Sequence, residues 1–307
     1  MPNNREVQWI RLATLNFRDG HNAWINQTVQ CIDQMNIDVA ILTEVKFSDG
    51  RYMRRCSGWQ WDYQVVATKL EKHKGGVVLV HCNQDRWSLE SMTTFGPNVI
   101  RTTLVSGQDR KYLIGAYVPP SEEDGSTLDH IREAWATVRN PRWPVIMMGD
   151  FNVDLHDPQS TTGQGAERRV KTAALLDSMG VDNMSSFFTQ SRRWRGTQHR
   201  TWSQIQEGLE VWSLTDYILS DRRKQFLNFQ VRIPRFNTDH LAVVATLRCG
   251  PAGNHRRYLR ARQQYPLPLL TEEAKNEADW MTEEIVTAAK KPWVDSSRSR
   301  SWISDAT

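Results

Sequence analysis

Cysteine is scarce in this chain, and what there is does not pair. Four occur, at 31, 56, 82 and 249, with no Cys-x-x-Cys spacing among them. That excludes a thiolate zinc cluster and a disulfide framework, and predicts reduced thiols in a reducing compartment. Long apolar runs are missing too. None approaches the roughly 20 residues that span a bilayer, and the opening Met1-Pro2-Asn3-Asn4-Arg5-Glu6 carries no apolar signal region. A strong charge excess is also absent. The formal net charge is +4, from 39 basic and 35 acidic side chains, so any polyanionic partner has to be read from local clusters. No internal repeat and no long low-complexity stretch occurs. The expectation is a soluble, intracellular protein.

What is present is core material. Hydrophobic residues make up 39% of the 307 positions and charged residues 24%, a globular composition. Residues 8–15 read as a strand. Residues 22–36 carry Ile25, Val29, Ile32 and Met35 at helical spacing, with Asn36 as a helix end. Residues 38–43 read as a buried strand, so the first three elements form a strand–helix–parallel strand crossover. Further strands fit 63–67, 76–82, 99–105, 111–118, 144–149, 199–203, 214–220, 229–233 and 241–248. Helices fit 126–139 and 166–179. Many strands with few helices predict an α+β fold in which two packed sheets are flanked by helices. Composition shifts at Gly250-Pro251-Ala252-Gly253. A domain boundary is therefore placed near residue 250, with 1–249 as the domain and 250–307 as a basic, partly helical tail.

Polar residues recur at the C-terminal ends of apolar strands. Asn16 follows Leu12 to Leu15, Glu44 follows Ile41-Leu42-Thr43, Tyr117 follows Leu113 to Ala116, and Asp150 and Asn152 follow Val145 to Gly149. If these strands are neighbours, their ends share one rim holding carboxylates, amides and a phenol. In an extended chain Asp150 and Asn152 point the same way while Phe151 points the other, and Gly149 admits close backbone approach to a ligand. Each residue also has a plain structural reading: Asp and Asn start turns, Tyr117 suits a half-buried strand, and Thr238-Asp239-His240 suits a surface loop before the strand at Leu241. Glu44 is a hard oxygen donor of the kind that Mg²⁺ takes.

The order Asn16, Glu44, Tyr117, Asp150-x-Asn152, Thr201-Trp202, Asp216-Tyr217, Asp239-His240 resembles the endonuclease/exonuclease/phosphatase superfamily, over roughly residues 7–248. Thr201-Trp202-Ser203 ahead of Thr215-Asp216-Tyr217-Ile218-Leu219, and a basic tail with Ser301-Trp302-Ile303-Ser304, look most like the endonuclease domain of non-LTR (LINE-type) retrotransposons. The resemblance implies a four-layered sandwich of the pancreatic-deoxyribonuclease type and Mg²⁺-dependent nicking of DNA, with Mn²⁺ as an alternative ion. It implies a monomer acting in the nucleus, with a reverse transcriptase domain of the parent element as partner. No Tyr-x-Asp-Asp motif is present, so polymerase chemistry is not expected of this chain. Implied roles are metal binding for Glu44 and Asn16, and water activation by Asp150 with Asn152. His240 acts on the scissile phosphate, oriented by Asp239. Tyr117 contacts phosphate or the leaving group, and Thr201 and Asp216 complete the network. Two departures stand out: Leu214 replaces a basic residue common in the family, and Thr238 replaces a serine. An abasic-site repair endonuclease, a phosphoinositide or nucleotide phosphatase, and a binding module without catalysis are the rival readings.

Arg192, Arg193, Arg195 and Arg200 cluster around Trp194 just before Thr201, and Arg51, Arg54 and Arg55 follow Glu44. Both clusters suit phosphate contact, or a solvated basic loop. The resemblance implies that the hairpin-like stretch 203–213 inserts into a groove, although Glu207 and Glu210 weaken any phosphate grip; Trp194 and Trp212 are candidates for base contact. Reversing the charge of Arg192, Arg193 and Arg195 is expected to weaken DNA binding and flatten its salt dependence. Titrations at several salt concentrations check this, and an unchanged slope removes the cluster from the interface.

Overall fold

The computed structural model describes residues 8–20, 25–45, 53–58, 62–68, 76–82, 87–106, 108–121, 125–138, 140, 142–155, 164–189, 201–206, 209–234 and 238–249. Arg192, Arg193, Arg195, Arg200 and the tail from residue 250 lie outside them. In chain order the first elements are β1 (Gln8–Gly20), α1 (Ile25–Gln34), β2 (Val39–Val45), β3 (Met53–Ser57), β4 (Asp62–Ala67) and β5 (Val78–Cys82). Then come β6 (Ser88–Phe95), β7 (Val99–Ser106), β8 (Asp109–Tyr117), α2 (Ser126–Ala136), β9 (Val145–Asp150) and α3 (Gln164–Met179). The last are β10 (Asp182–Asn183), α4 (Met184–Thr189), β11 (Trp202–Gln206), β12 (Leu209–Ser213), β13 (Asp216–Ser220), β14 (Phe226–Arg232) and β15 (Ala242–Cys249).

Two mixed sheets result. One has seven strands in the order β14-β15-β1-β2-β5-β4-β3, the other six in the order β10-β13-β9-β8-β7-β6. Each contains one parallel pair, β1 with β2 and β8 with β9. β11 and β12 form a separate hairpin.

Side-chain alternation builds the layers. On β1, Ile10 and Leu12 enter the core between the sheets, while Ala13, Leu15 and Phe17 pack outward with Ile25, Val29 and Ile32 of α1. On β9, Ile146 and Met148 face inward, while Val145, Met147 and the following Phe151 pack outward with Ile131 of α2 and Leu175 of α3. The predicted four-layered α+β sandwich is therefore the observed one: helix, sheet, sheet, helices. Met184 and Phe188 of α4 join the inter-sheet core. Cys31, Cys56 and Cys82 are buried. No described helix is long and apolar enough to cross a membrane.

Most predicted elements lie within a few residues of the observed ones. Asn36 sits just past α1 with φ 54, a left-handed helix stop. β3, β6, β10 and α4 have no counterpart among the predicted elements. β3 and β6 are edge strands, and β6 is largely solvent-facing, so neither carries the apolar run of a central strand.

Gly149 serves the sheet rather than a ligand. It has φ +154, and a Cβ there would lie 1.7 Å from the backbone oxygen of Ala116 on the parallel neighbour β8. Backbone cannot yield as a flexible side chain does. Gly149→Ala is expected to destabilise the fold by about 3 kcal/mol or more, read as a lower urea midpoint; an unchanged midpoint overturns this reading.

Candidate active site

The inward-facing rows of both sheets end in polar residues at one edge. On β1 the row Ile10, Leu12, Thr14 ends in Asn16; on β9 Ile146 and Met148 end in Asp150; on β8 Leu113 and Gly115 end in Tyr117. On β13, which runs the other way, Asp216 comes first and Ile218 is the next inward residue. Register sets Tyr117 and Asp216 directly beside Asp150, on either flank. Asp150 and Asp216 are both 0% exposed.

Glu44 would point outward by strict alternation, since Ala40 and Leu42 do. A left-handed turn at Glu44 (φ 55) breaks the alternation, and its carboxylate accepts a hydrogen bond from the Tyr117 hydroxyl at 3.1 Å. Two further bonds cross between the sheets. Asn16 Nδ2 donates to Asp150 Oδ2 at 2.8 Å, and His240 Nδ1 lies 2.7 Å from Asp216 Oδ2. Asn152 is also left-handed (φ 50). Its backbone N–H donates to Asp150 Oδ1 at 2.8 Å, and its side-chain Nδ2 lies 3.3 Å from Asp150 Oδ2 and 3.0 Å from the Val118 carbonyl. Asn152 thus meets Asp150 through a tight turn and not through strand alternation.

Burial and the neighbouring Asp216 push the Asp150 carboxyl up to about 7, against the pull of His240 and the bonds from Asn152 and Asn16. Burial alone would lower His240. The Asp216 carboxylate and its hydrogen bond outweigh that, assisted by Asp150 and Asp239, and raise the imidazole to about 9. The raised pKa favours the imidazolium at neutral pH, held by Asp216 and able to donate a proton.

Asp239 does not orient His240. The backbone bends at Asp239, and its carboxylate lies 3.9 Å from Arg18. The partner of the imidazole comes from the other sheet. Thr201, expected at the substrate, is 0% exposed. Its hydroxyl accepts from the backbone N–H groups of Thr215 at 3.0 Å and Asp216 at 3.1 Å, so it positions Asp216 from behind. Leu214 is a buried core residue whose N–H donates to Asp154 and whose carbonyl accepts from the Tyr217 hydroxyl. A basic side chain there has no rim to reach. The Thr238 hydroxyl donates to the Asn16 carbonyl and accepts from the His240 N–H. Trp202 bridges to His240 through backbone pairing, with ring centroids 6.4 Å apart, so the β11–β12 hairpin is joined to the rim at the imidazole. Thr215 and Thr238 belong to motifs visible in the sequence, whereas Arg18 carries no signal beyond a single charge.

The donor set suits a hard divalent cation. Ligand atoms of Asp150, Asp216 and His240 lie within 4.8 Å of one another. Asp216 Oδ1 is buried without a hydrogen-bond partner, and two adjacent buried carboxylates are electrostatically short of positive charge. Asn16 spends its amide N–H on Asp150 and its oxygen on the Arg18 N–H at 2.8 Å, which fits it better to orienting Asp150 than to ligating an ion. Asp216→Asn is expected to lower the His240 pKa clearly from about 9, because burial is then opposed only by Asp150 and Asp239. Histidine titration by NMR checks this, and a value still near 9 refutes the pairing. The sign for stability follows: a raised pKa stabilises fully below about 6.5, and that contribution is lost as pH rises through about 9.

The profile of the Endonuclease/Exonuclease/phosphatase family matches residues 13–240. No curated protein matches the chain. The endonuclease domain of TRAS1, a telomere-specific non-LTR retrotransposon, superposes with TM-score 0.53 at 13% identity, over 78% of this chain and 98% of that one. AP endonuclease LMAP from Leishmania major superposes with TM-score 0.55 at 15% identity, over 78% and 88%. The 3′ phosphatase NExo from Neisseria, bound to product DNA hairpin, gives 0.52 at 17% identity, over 77% and 98%. At such identities these structures establish the fold alone. Members of the matched family are phosphoester hydrolases and nucleases, generally dependent on a divalent metal. By the span of that match and by its fold, the chain belongs to the Endonuclease/Exonuclease/phosphatase family.

Proposed function

We propose that the protein is a Mg²⁺-dependent endonuclease that nicks DNA, derived from a non-LTR retrotransposon and acting in the nucleus as a monomer. In this reading a reverse transcriptase of the parent element is its partner. The observation that carries the chemistry is the trio of cross-sheet contacts, Glu44 with Tyr117, Asn16 with Asp150 and His240 with Asp216. They gather a base, a cation and a hard oxygen donor at one rim. Likeness to the TRAS1 endonuclease domain and the order of motifs support the substrate.

Phosphodiester hydrolysis needs a deprotonated water, neutralised phosphoryl oxygens and a protonated leaving oxygen. Asp150, gripped by Asn16 and Asn152, accepts the proton of the attacking water. His240, kept protonated by Asp216, donates a hydrogen bond to the scissile phosphate. Tyr117 offers its hydroxyl to phosphate or the leaving oxygen when it releases Glu44. A bound Mg²⁺, or Mn²⁺, would supply charge neutralisation, and Glu44 would hold it. Asp239 and Arg18 edge the rim next to His240.

A second reading, an abasic-site endonuclease, draws on the likeness to AP endonuclease LMAP. Preference for an abasic duplex over intact DNA separates the two.

Asp150→Ala, Glu44→Ala and His240→Ala are each expected to lower plasmid nicking by about 10²–10⁴-fold or more, with circular dichroism unchanged. Wild type is expected to nick supercoiled plasmid with Mg²⁺ and to stop on chelation. Wild-type-like nicking by Asp150→Ala overturns the assignment.

A further inference from the structure

The segments leaving β8 and β9 carry Tyr117 and Asp150 into the rim, and they are short of backbone donors. After Val118 come Pro119 and Pro120, which have no N–H and cannot continue a ladder. Their carbonyls, and that of Asn152, need donors from elsewhere. One side chain provides them all. Arg168, in the second turn of α3, donates Nη1 to the Pro119 carbonyl at 3.2 Å and to the Pro120 carbonyl, and Nη2 to the Asn152 carbonyl at 3.2 Å. The planar five-donor guanidinium is suited to several carbonyls at once; an ammonium is not.

We propose that Arg168 is a positioning residue for Asn152 and, through it, for Asp150. Asn152 holds a left-handed conformation with φ 50, which asparagine tolerates but does not choose without local support. Its carbonyl is fixed by Arg168. Its side-chain amide is fixed by the Val118 carbonyl, and its N–H by Asp150 Oδ1. Val118 is tied back in turn, its N–H donating to the Asp150 carbonyl at 2.9 Å. Arg168 is thus the bolt that joins the 118–120 segment to the 150–152 turn. Without it, Asn152 is free to leave the left-handed region and both of its bonds to Asp150 go. In the sequence Arg168 is indistinguishable from Arg169 beside it.

The inference rests on the nuclease reading for its kinetic consequence but not for its structural one. Misplacing a base by a fraction of its bond length costs rate, not affinity. Arg168→Met is therefore expected to reduce kcat for plasmid nicking by roughly 10- to 100-fold with KM for DNA within about twofold, and Arg168→Lys to fall between it and wild type. In an Asn152→Ala background Arg168→Met is expected to cost nothing further, because the residue acts through Asn152. In the metal-free protein the Asn152 side-chain amide resonances are expected to move in both Arg168 variants. If wild type does not nick DNA, the nuclease reading fails and the amide measurement still decides this inference. Unmoved Asn152 resonances, a raised KM with unchanged kcat, or fully additive losses in the Asn152→Ala background each overturn it.

Discussion

Asp150 is a carboxylate cut off from water beside a second one, Asp216. Two buried like charges on neighbouring strands repel, and each has lost its hydration. The structure offsets this with directed donors: the Asn16 amide, the Asn152 N–H and the imidazolium of His240. The offset is incomplete, since Asp150 still sits near 7 instead of in the ordinary carboxylate range. A cation brought to this rim relieves the remaining repulsion and makes the charged form of Asp150 the stable one. In the proposed mechanism, affinity for a cation and readiness to accept a proton from water have one origin, a carboxylate held where it is not fully at ease. Stability given up here is the common cost of a functional site.

Geometry follows from how the sheets face each other. In the first sheet β15, β1 and β2 are consecutive neighbours; in the second, β13, β9 and β8 are. The contacts His240 with Asp216, Asn16 with Asp150 and Glu44 with Tyr117 join these strands in that same order. The site is the polar end of the layer whose middle is Leu12, Ile41, Leu113, Met148 and Ile218. A one-residue slip in any of these strands would send its rim residue to the wrong face. The apolar core therefore sets the register of the rim, and the three polar contacts lock what the core has aligned.

This explains what the sequence reveals and what it hides. Asn16, Tyr117 and Asp150 are legible because period-two alternation and a polar residue after an apolar run are local signals. The helix over 25–34 and its stop at Asn36 are legible for the same reason. Partners across the sheets are not local. Asp239 adjoins His240 in sequence, yet Asp216, 24 residues away, holds the ring. Thr201 stands in a motif that suggests a substrate contact, but the close approach of β13 turns its hydroxyl onto two backbone donors. Edge strands β3 and β6 escape notice because only one neighbour buries them.

Of the non-glycine residues with positive φ among those described, Arg18 (φ 36), Glu44 (φ 55) and Asn152 (φ 50) stand at this rim. Each follows a strand row that has kept strict alternation up to that point. Leaving the strand conformation there is what lets Glu44 turn to Tyr117 and Asn152 turn back on Asp150. Such conformations cost about 1–3 kcal/mol each and persist only where surroundings over-determine them. Here they are over-determined: Arg18 N–H is bound by Asn16, Glu44 by Tyr117, and Asn152 by Asp150, Val118 and Arg168. A site fixed this way spends its ordering cost in folding and not in the reaction, which is the condition under which dipoles and charges aimed at a developing transition state are most effective.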